Sequence, residues 1–260
     1  MVRRLLKRGY IFLMFAFLYA PIIVLAFYSF NSSRSRGSWD GFTLKWYVEM
    51  FRDRQILTSL YYSLFIGIIA SVTATFIGTM AAFGINNLNS LPQATVMNLT
   101  YVPVLNPDIV TGISFMLLFI FIRLRLGFIT LLLSHITFCI PYVILSVLPR
   151  IKQLDKSIYE AALDLGATPQ QAFMKVILPE IMPGVISGML LSFTLSLDDF
   201  VISFFTTGSG ISTLSIAIYS MARRGINPKI NALSTMMFIS VLTLLIIINV
   251  IMSRQKKEAK

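Results

Sequence analysis

The stretch EAALDLGATPQQAFMKVILP, Glu160 to Pro179, is a charged and capped segment set between two runs apolar enough for a membrane interior. Its spacing predicts two short helices with a sharp corner. Ser157 and Glu160 carry the capping-box pattern, which starts a helix by pairing amide hydrogens that the first turn leaves open. Leu154, Ile158, Ala161 and Leu165 recur at helical spacing as an apolar stripe, while Lys156, Glu160 and Asp164 keep the other side polar. Gly166 ends this helix, because glycine accepts the left-handed conformation common at helix ends. Thr168, Pro169 and Gln171 repeat the start signal, with threonine as N-cap and proline at the first helical position. The second helix is expected to run to about Leu178, with Pro179 and Pro183 ending it. On residue physics alone, the segment reads equally well as an amphipathic hairpin on a bilayer surface in which Glu160 only caps.

Outward from this segment, the composition sets the class. Of 260 residues, 56% are hydrophobic and 13% charged, and the mean hydropathy is +0.78. That is too apolar for a surface that must meet water on all sides. The expected fold is an all-α integral membrane protein of one domain, residues 1–260, with about six transmembrane helices. A net charge of +11 raises the possibility of nucleic acid, but the cations lie at the chain ends and in loops rather than on one patterned face. The reading is therefore a lipid bilayer and no nucleic acid. The single cysteine, Cys139, excludes an intrachain disulfide, and the single histidine, His135, has no second histidine with which to share a metal. His135 is expected to be packed or hydrogen-bonded, and no metal site or catalytic residue is assigned.

Arg3, Arg4, Lys7 and Arg8 precede an uncharged run over 9–30, too long for a signal-peptide core. This is read as a retained first helix with a cytoplasmic N-terminus. Further spans are expected near 57–84, 94–121, 128–148, 184–205 and 229–252, with the capped loop over 150–180. Six spans return Arg254, Lys256, Lys257 and Lys260 to the cytoplasm. Only slightly more than half of the 22 basic residues fall on that side, so the two termini carry the orientation. Trp46 and Tyr47 read as aromatic anchors at the interface. Residues 206–225 are too short in uncharged stretches to span and are expected outside or partly re-entrant. Asn227-Pro228 resembles another helix start.

Three carboxylates fall inside the expected spans, where an aspartate costs about 2.5 to 3.5 kcal/mol unless paired, protonated or facing water. Asp198 and Asp199 lie about 21 Å along a helix starting at Gly184, towards its outer half. Adjacent helical positions point about 100° apart. One of the pair is thus placed to face a pathway while the other meets a neighbouring helix, and an interhelix polar contact stands as the alternative. Asn106-Pro107-Asp108 reads as a helix restarting in mid-membrane after a break at Pro103. Asp108 suits either a cation path or the positive end of its own half-helix. Together the acids define an anionic path for a cation, with Phe200 and Tyr219 as candidate cation–π faces.

Glu160-Ala161-Ala162, then Gly166, then Val176-Ile177-Leu178-Pro179 resembles the EAA motif of ABC importer permeases, with Val176 standing where the pattern has isoleucine. FYSFNSS at 27–33, KWY at 45–47, NPDIVTGIS at 106–114, SHITFC at 134–139, SFTLSLDDFVIS at 192–203 and INPKINALST at 226–235 extend the resemblance to permease C subunits of spermidine/putrescine ABC transporters. The resemblance implies a type I importer permease of the bacterial cytoplasmic membrane. It would pair with a paralogous second permease, couple to an ABC ATPase dimer and receive polyamine from an extracytoplasmic binding protein. It also implies a cytoplasmic coupling loop in which Glu160, Ala161, Ala162, Asp164, Gly166 and Pro179 serve the ATPase. No Walker-type phosphate loop is present, so ATP and magnesium are expected on that partner and no cofactor on this chain. Two alternatives stand beside it: a permease of the same class for another small cationic or organic solute, and a proton-coupled secondary carrier.

Overall fold

The computed structural model describes the backbone of residues 2–33, 38–224 and 228–258; the side chains of 2–6, 156, 244 and 247–258 lie outside the description. Twelve α-helices follow in chain order: α1 (Val2–Tyr28), α2 (Lys45–Arg52), α3 (Arg54–Asn86), α4 (Ser90–Leu105), α5 (Asp108–Phe121), α6 (Phe128–Gln153), α7 (Lys156–Asp164), α8 (Pro169–Ala172), α9 (Leu178–Asp198), α10 (Val201–Thr206), α11 (Leu214–Arg224) and α12 (Pro228–Glu258). Among the described residues the only extended pairing is an isolated bridge between Asn31 and Phe42. Helices satisfy every backbone polar group within the segment, which is the requirement a hydrocarbon environment imposes.

Among the described residues four stretches are long and apolar enough to cross a membrane: 7–28 of α1, all of α3, all of α6, and the continuous run Pro169–Asp198. The pair α4 and α5, bent by 104° at Asn106–Pro107, supplies a fifth if taken as one broken span. The sixth expected span falls on α12, part of which lies outside the described side chains. The Asn227 start signal is likewise outside the described residues.

The chain forms two compact units, Met1–Thr58 with Ala217–Lys260, and Ser59–Ile216. In the larger unit the core is α6 against α9. Gly184, Gly188, Ser192 and Ser196 recur every fourth residue, so one line of α9 carries only small side chains and all four are buried. At Gly188 an added Cβ would lie 3.2 Å from the Val143 Cα and 3.2 Å from the Ser146 Cβ. Glycine there lets two helix backbones approach closely, the means by which membrane helices pack when lipid is as apolar as leucine. Cys139, Val143, Val147 and Ile181 fill the seam. The same inversion appears on α3, where Ser59, Ser63, Ala70 and Ala74 are buried while Tyr61, Phe76 and Met80 face outward. Several buried hydroxyls are satisfied locally, as in Thr75 donating to the Ser71 carbonyl at 2.6 Å and Ser134 to the Thr130 carbonyl at 2.8 Å, whereas those of Thr79 and Ser192 find no hydrogen-bond partner among the described residues.

In the smaller unit, buried Asn31 organises the loop after α1. Its Nδ2 donates to the Ser38 carbonyl at 2.7 Å, its Oδ1 accepts the Asp40 amide at 3.0 Å, and its carbonyl accepts the Trp46 indole N–H at 2.7 Å. Trp46 is only 2% exposed, and the Tyr47 hydroxyl meets the Ser29 hydroxyl at 2.7 Å. Both rings have polar partners within the fold, which offsets the cost of burying their polar ends. Lys229 bridges Asp53 and Glu49 at 3.3 and 3.9 Å. No residue in the most apolar stretch of α1 is buried within the chain.

Several boundaries differ from expectation. Pro179 and Pro183 do not end a helix; α8 passes through a π-helical turn, Phe173–Ile177, directly into α9. The Leu178 amide reaches back five residues to the Phe173 carbonyl, and this widened turn makes room for the Pro179 ring that a regular helix would exclude. Pro103 lies inside α4 rather than breaking it, and the break comes at Asn106–Pro107. The span expected over 184–205 instead stops at Asp198, and residues 214–224 form the helix α11.

Candidate functional site

Two places gather the residues singled out from sequence. The first is the loop between α6 and α9. Its opening cap is Asp155, not Ser157: the Asp155 carboxylate accepts the Ser157 amide at 3.0 Å, and no capping box joins Ser157 to Glu160. A full negative charge at the helix start complements the helix dipole as a hydroxyl cannot. The Ser157 amide, and secondarily its hydroxyl, hold the Asp155 carboxyl below the usual carboxylate range. The end of α7 is as expected. Gly166 has φ +86°, its amide donates to the Leu163 carbonyl at 2.9 Å, and the Ala167 amide donates to the Ala162 carbonyl at 3.1 Å. These are the paired bonds of a Schellman motif. The second start is also as expected, with Thr168 and Gln171 exchanging both bonds of a capping box.

The apolar stripe expected on α7 does not point inward. Ala162 is the buried position, while Glu160, Ala161, Asp164 and Leu165 are exposed, and Leu165 is 89% exposed. Behind the corner lies a cleft of about 600 Å³ whose lining includes Asp155, Tyr159, Glu160, Phe173 and Glu180. Pro179 is the second residue of α9, which follows the π-turn directly, so the corner is carried on a helical run that continues to Asp198.

The second place is the break between α9 and α10. Asp198 ends α9 and is exposed. Asp199 has extended backbone, and its carboxylate accepts the Ile202 amide at 3.2 Å and the Ser203 amide at 2.7 Å, which caps α10. Its side chain is 7% exposed and stands 3.7 Å from His135 Nε2. The geometry corrects the picture of two adjacent helical positions, because the chain leaves the helix between them. Asp199 lies against α6, and Asp198 is exposed. His135, buried on α6, contacts Ser196 Oγ through Nδ1 at 2.7 Å and Ser203 Oγ through Nε2 at 3.0 Å.

Asp108 is exposed at the first position of α5, where its charge complements the helix start. The helix begins one residue later than expected, with Pro107 rather than Asn106 at the cap. The α5 and α10 helices pack together at Gly112, whose added Cβ would lie 3.4 Å from both the Ile202 Cα and the Val201 carbonyl. Two exposed carboxylates, Asp108 and Asp198, thus sit at the ends of elements joined through one packed pair. Phe200 is half-buried, its ring tilted against that of Phe204 with centroids 5.5 Å apart. Tyr219 is exposed in the other unit. His135 is packed and hydrogen-bonded as expected, but sequence reasoning did not foresee its partners Ser196 and Ser203 or the cap supplied by Asp155. The fourfold spacing of small residues on α9 signalled a packed face, but not which side chain of α6 meets it.

Residues 74–258 match the family model described as the binding-protein-dependent transport system inner membrane component. The chain is 41% identical over 246 residues to the spermidine/putrescine transport system permease protein PotC of Escherichia coli K12, covering 95% of this chain and 93% of the relative. It is 40% identical over 251 residues to the putrescine transport system permease protein PotI of the same organism, covering 94% and 89%. Among solved structures, a bacterial ABC transporter involved in import of the acidic polysaccharide alginate shares the fold, with a TM-score of 0.74, 16% identity and coverage of 97% and 95%. The chain belongs to the family of binding-protein-dependent transport system inner membrane components. It is a multi-pass ABC importer permease subunit, not an enzyme.

Proposed function

We propose that this permease carries polyamines, spermidine or putrescine, inward through an alternating-access pathway. The observation that carries the reading is the sign and placement of charge: Asp108 and Asp198 are exposed carboxylates at helix ends between apolar elements, an arrangement that suits a cation and repels an anion. Relatives of about two-fifths identity carry spermidine and putrescine in their names. The alginate transporter shares only the fold, so its anionic cargo sets no expectation for this chain.

In this reading the corner bearing Glu160, Ala161, Ala162, Asp164 and Gly166 docks on an ABC ATPase dimer at the cytoplasmic face, and both chain termini lie on that side. Closure of the ATPase moves the corner, and α9, continuous from the corner to Asp198, transmits the motion to the acid-bearing break. A paralogous permease completes the pathway, and an extracytoplasmic binding protein delivers the cargo. ATP and magnesium belong to the ATPase, and this chain holds no cofactor.

The test is uptake of radiolabelled spermidine and putrescine into vesicles carrying the complete transporter. Dependence on both ATP and the binding protein is the expected result. Uptake driven by a proton gradient alone would favour a secondary carrier, and absence of polyamine uptake with ATP-driven uptake of another cation would move the assignment to that solute.

A further inference from the structure

Two serines flank the break between α9 and α10, Ser196 before it and Ser203 after it, and both meet one imidazole from a third helix. His135 is 1% exposed, and its two ring nitrogens point at the two hydroxyls, 2.7 Å to Ser196 and 3.0 Å to Ser203. A serine hydroxyl both donates and accepts, so a neutral ring is satisfied at both ends in either tautomer. The ring is rigid, with its nitrogens on opposite edges, so the bonds fix the separation of Ser196 and Ser203 across the very residues where the chain leaves the helix. Nearby, the Asp199 carboxylate is taken up by the Ile202 and Ser203 amides. The Leu197 and Asp198 carbonyls, freed by the break, accept from the Ser215 hydroxyl at 3.3 and 3.4 Å. These bonds keep the break from sliding, and His135 is the side chain that holds both of its sides.

We infer that His135 is a positioning residue of the transport pathway: bridging Ser196 and Ser203, it holds the break in the geometry that displays Asp198 outward and keeps Asp199 inward. This rests on the reading of Asp198 as a pathway residue. His135 itself is too buried to touch cargo, and it acts through the break.

The natural chain has a single buried cysteine, so a Cys139→Ala background allows one thiol to be placed at position 198. In vesicles holding the complete transporter, the rate at which a cationic methanethiosulfonate labels Asp198→Cys is measured with His135, with His135→Leu and with His135→Gln. Glutamine places a polar group near the Nε2 position and keeps the Ser203 side of the bridge. The expected result is a labelling rate changed at least fivefold by His135→Leu and brought back to within twofold by His135→Gln. In the cysteine-containing transporter, His135→Leu is expected to raise the KM for spermidine at least fivefold while the binding-protein-stimulated ATPase rate per assembled complex stays within twofold. A purely structural role would instead lower the amount of complex and leave KM unchanged. If His135→Leu does not assemble, Ser203→Ala replaces it, with the same expected change in labelling. An unchanged labelling rate at position 198 in assembled complexes overturns the inference. Wild-type uptake by Asp198→Asn overturns the pathway reading instead, whatever the labelling shows.

Discussion

Asp198 and Asp199 are neighbours in the chain and opposites in environment: the first is exposed at the end of α9, and the second, with a side chain 7% exposed, caps α10. Their substitutions are therefore expected to separate. Asp199→Ala removes the acceptor of the Ile202 and Ser203 amides in the first turn of α10 and should cost about 0.5 to 2 kcal/mol of local stability. Asp199→Asn, which still accepts, should cost less. Asp198→Ala should leave the melting temperature of the purified complex near wild type while lowering cation uptake. Thermal unfolding and uptake on the same preparations check this, and a larger melting shift for Asp198→Ala would reverse the assignment.

The close approach of α6 and α9 at Gly188 leaves no room for a large side chain, because the nearest atoms include the Val143 backbone, which cannot swing aside. Gly188→Leu should cost about 1 to 3 kcal/mol through overpacking. Phe76→Leu, on an outward face, should have little effect. Melting temperatures in detergent compare the two.

Leu165 offers a different readout, since it buries little within the chain. Leu165→Glu should leave the permease folded and reduce co-purification with the ATPase by at least tenfold. Gly166→Ala is the companion change: a Cβ there meets nothing within 4 Å, so only the left-handed backbone is strained, at about 1 to 2 kcal/mol. Its effect should appear in coupling of ATPase to uptake rather than in global melting.

Asp155 predicts a pH dependence of defined sign. Its carboxyl is held below the ordinary value of 3.8 in the folded chain by the Ser157 amide and hydroxyl. Such a group stabilises the start of α7 above the ordinary value, and the stabilisation is lost as pH falls through the lower folded value. Asp155→Asn keeps an acceptor and removes the titration. Hydrogen exchange over 156–164 should therefore lose protection, beyond the intrinsic change, as pH falls below the ordinary carboxylate range in the natural chain but not in Asp155→Asn.

Much of this molecule is determined locally. A chain with 56% hydrophobic residues has one solvent in which its helices are stable, and the Gly166 turn and the Thr168–Gln171 capping box need only their own few residues to form. The restart at Pro107 is local as well, because proline fixes its own backbone and that of its predecessor. What only the tertiary structure decided is direction and partnership. Helical spacing placed Leu165 and Ala161 on one stripe but carried no sign for in or out, because a docking face and a core face have the same period. Pro179 signalled a helix end, yet packing of the following helix held the chain helical through a π-turn. At Asp198 and Asp199 the sequence by itself established that carboxylates lie among apolar residues and therefore need partners. Asp199 found its hydrogen bonds locally, in the Ile202 and Ser203 amides, but its approach to His135, 64 positions earlier, and its burial exist only once α6 and α9 are packed.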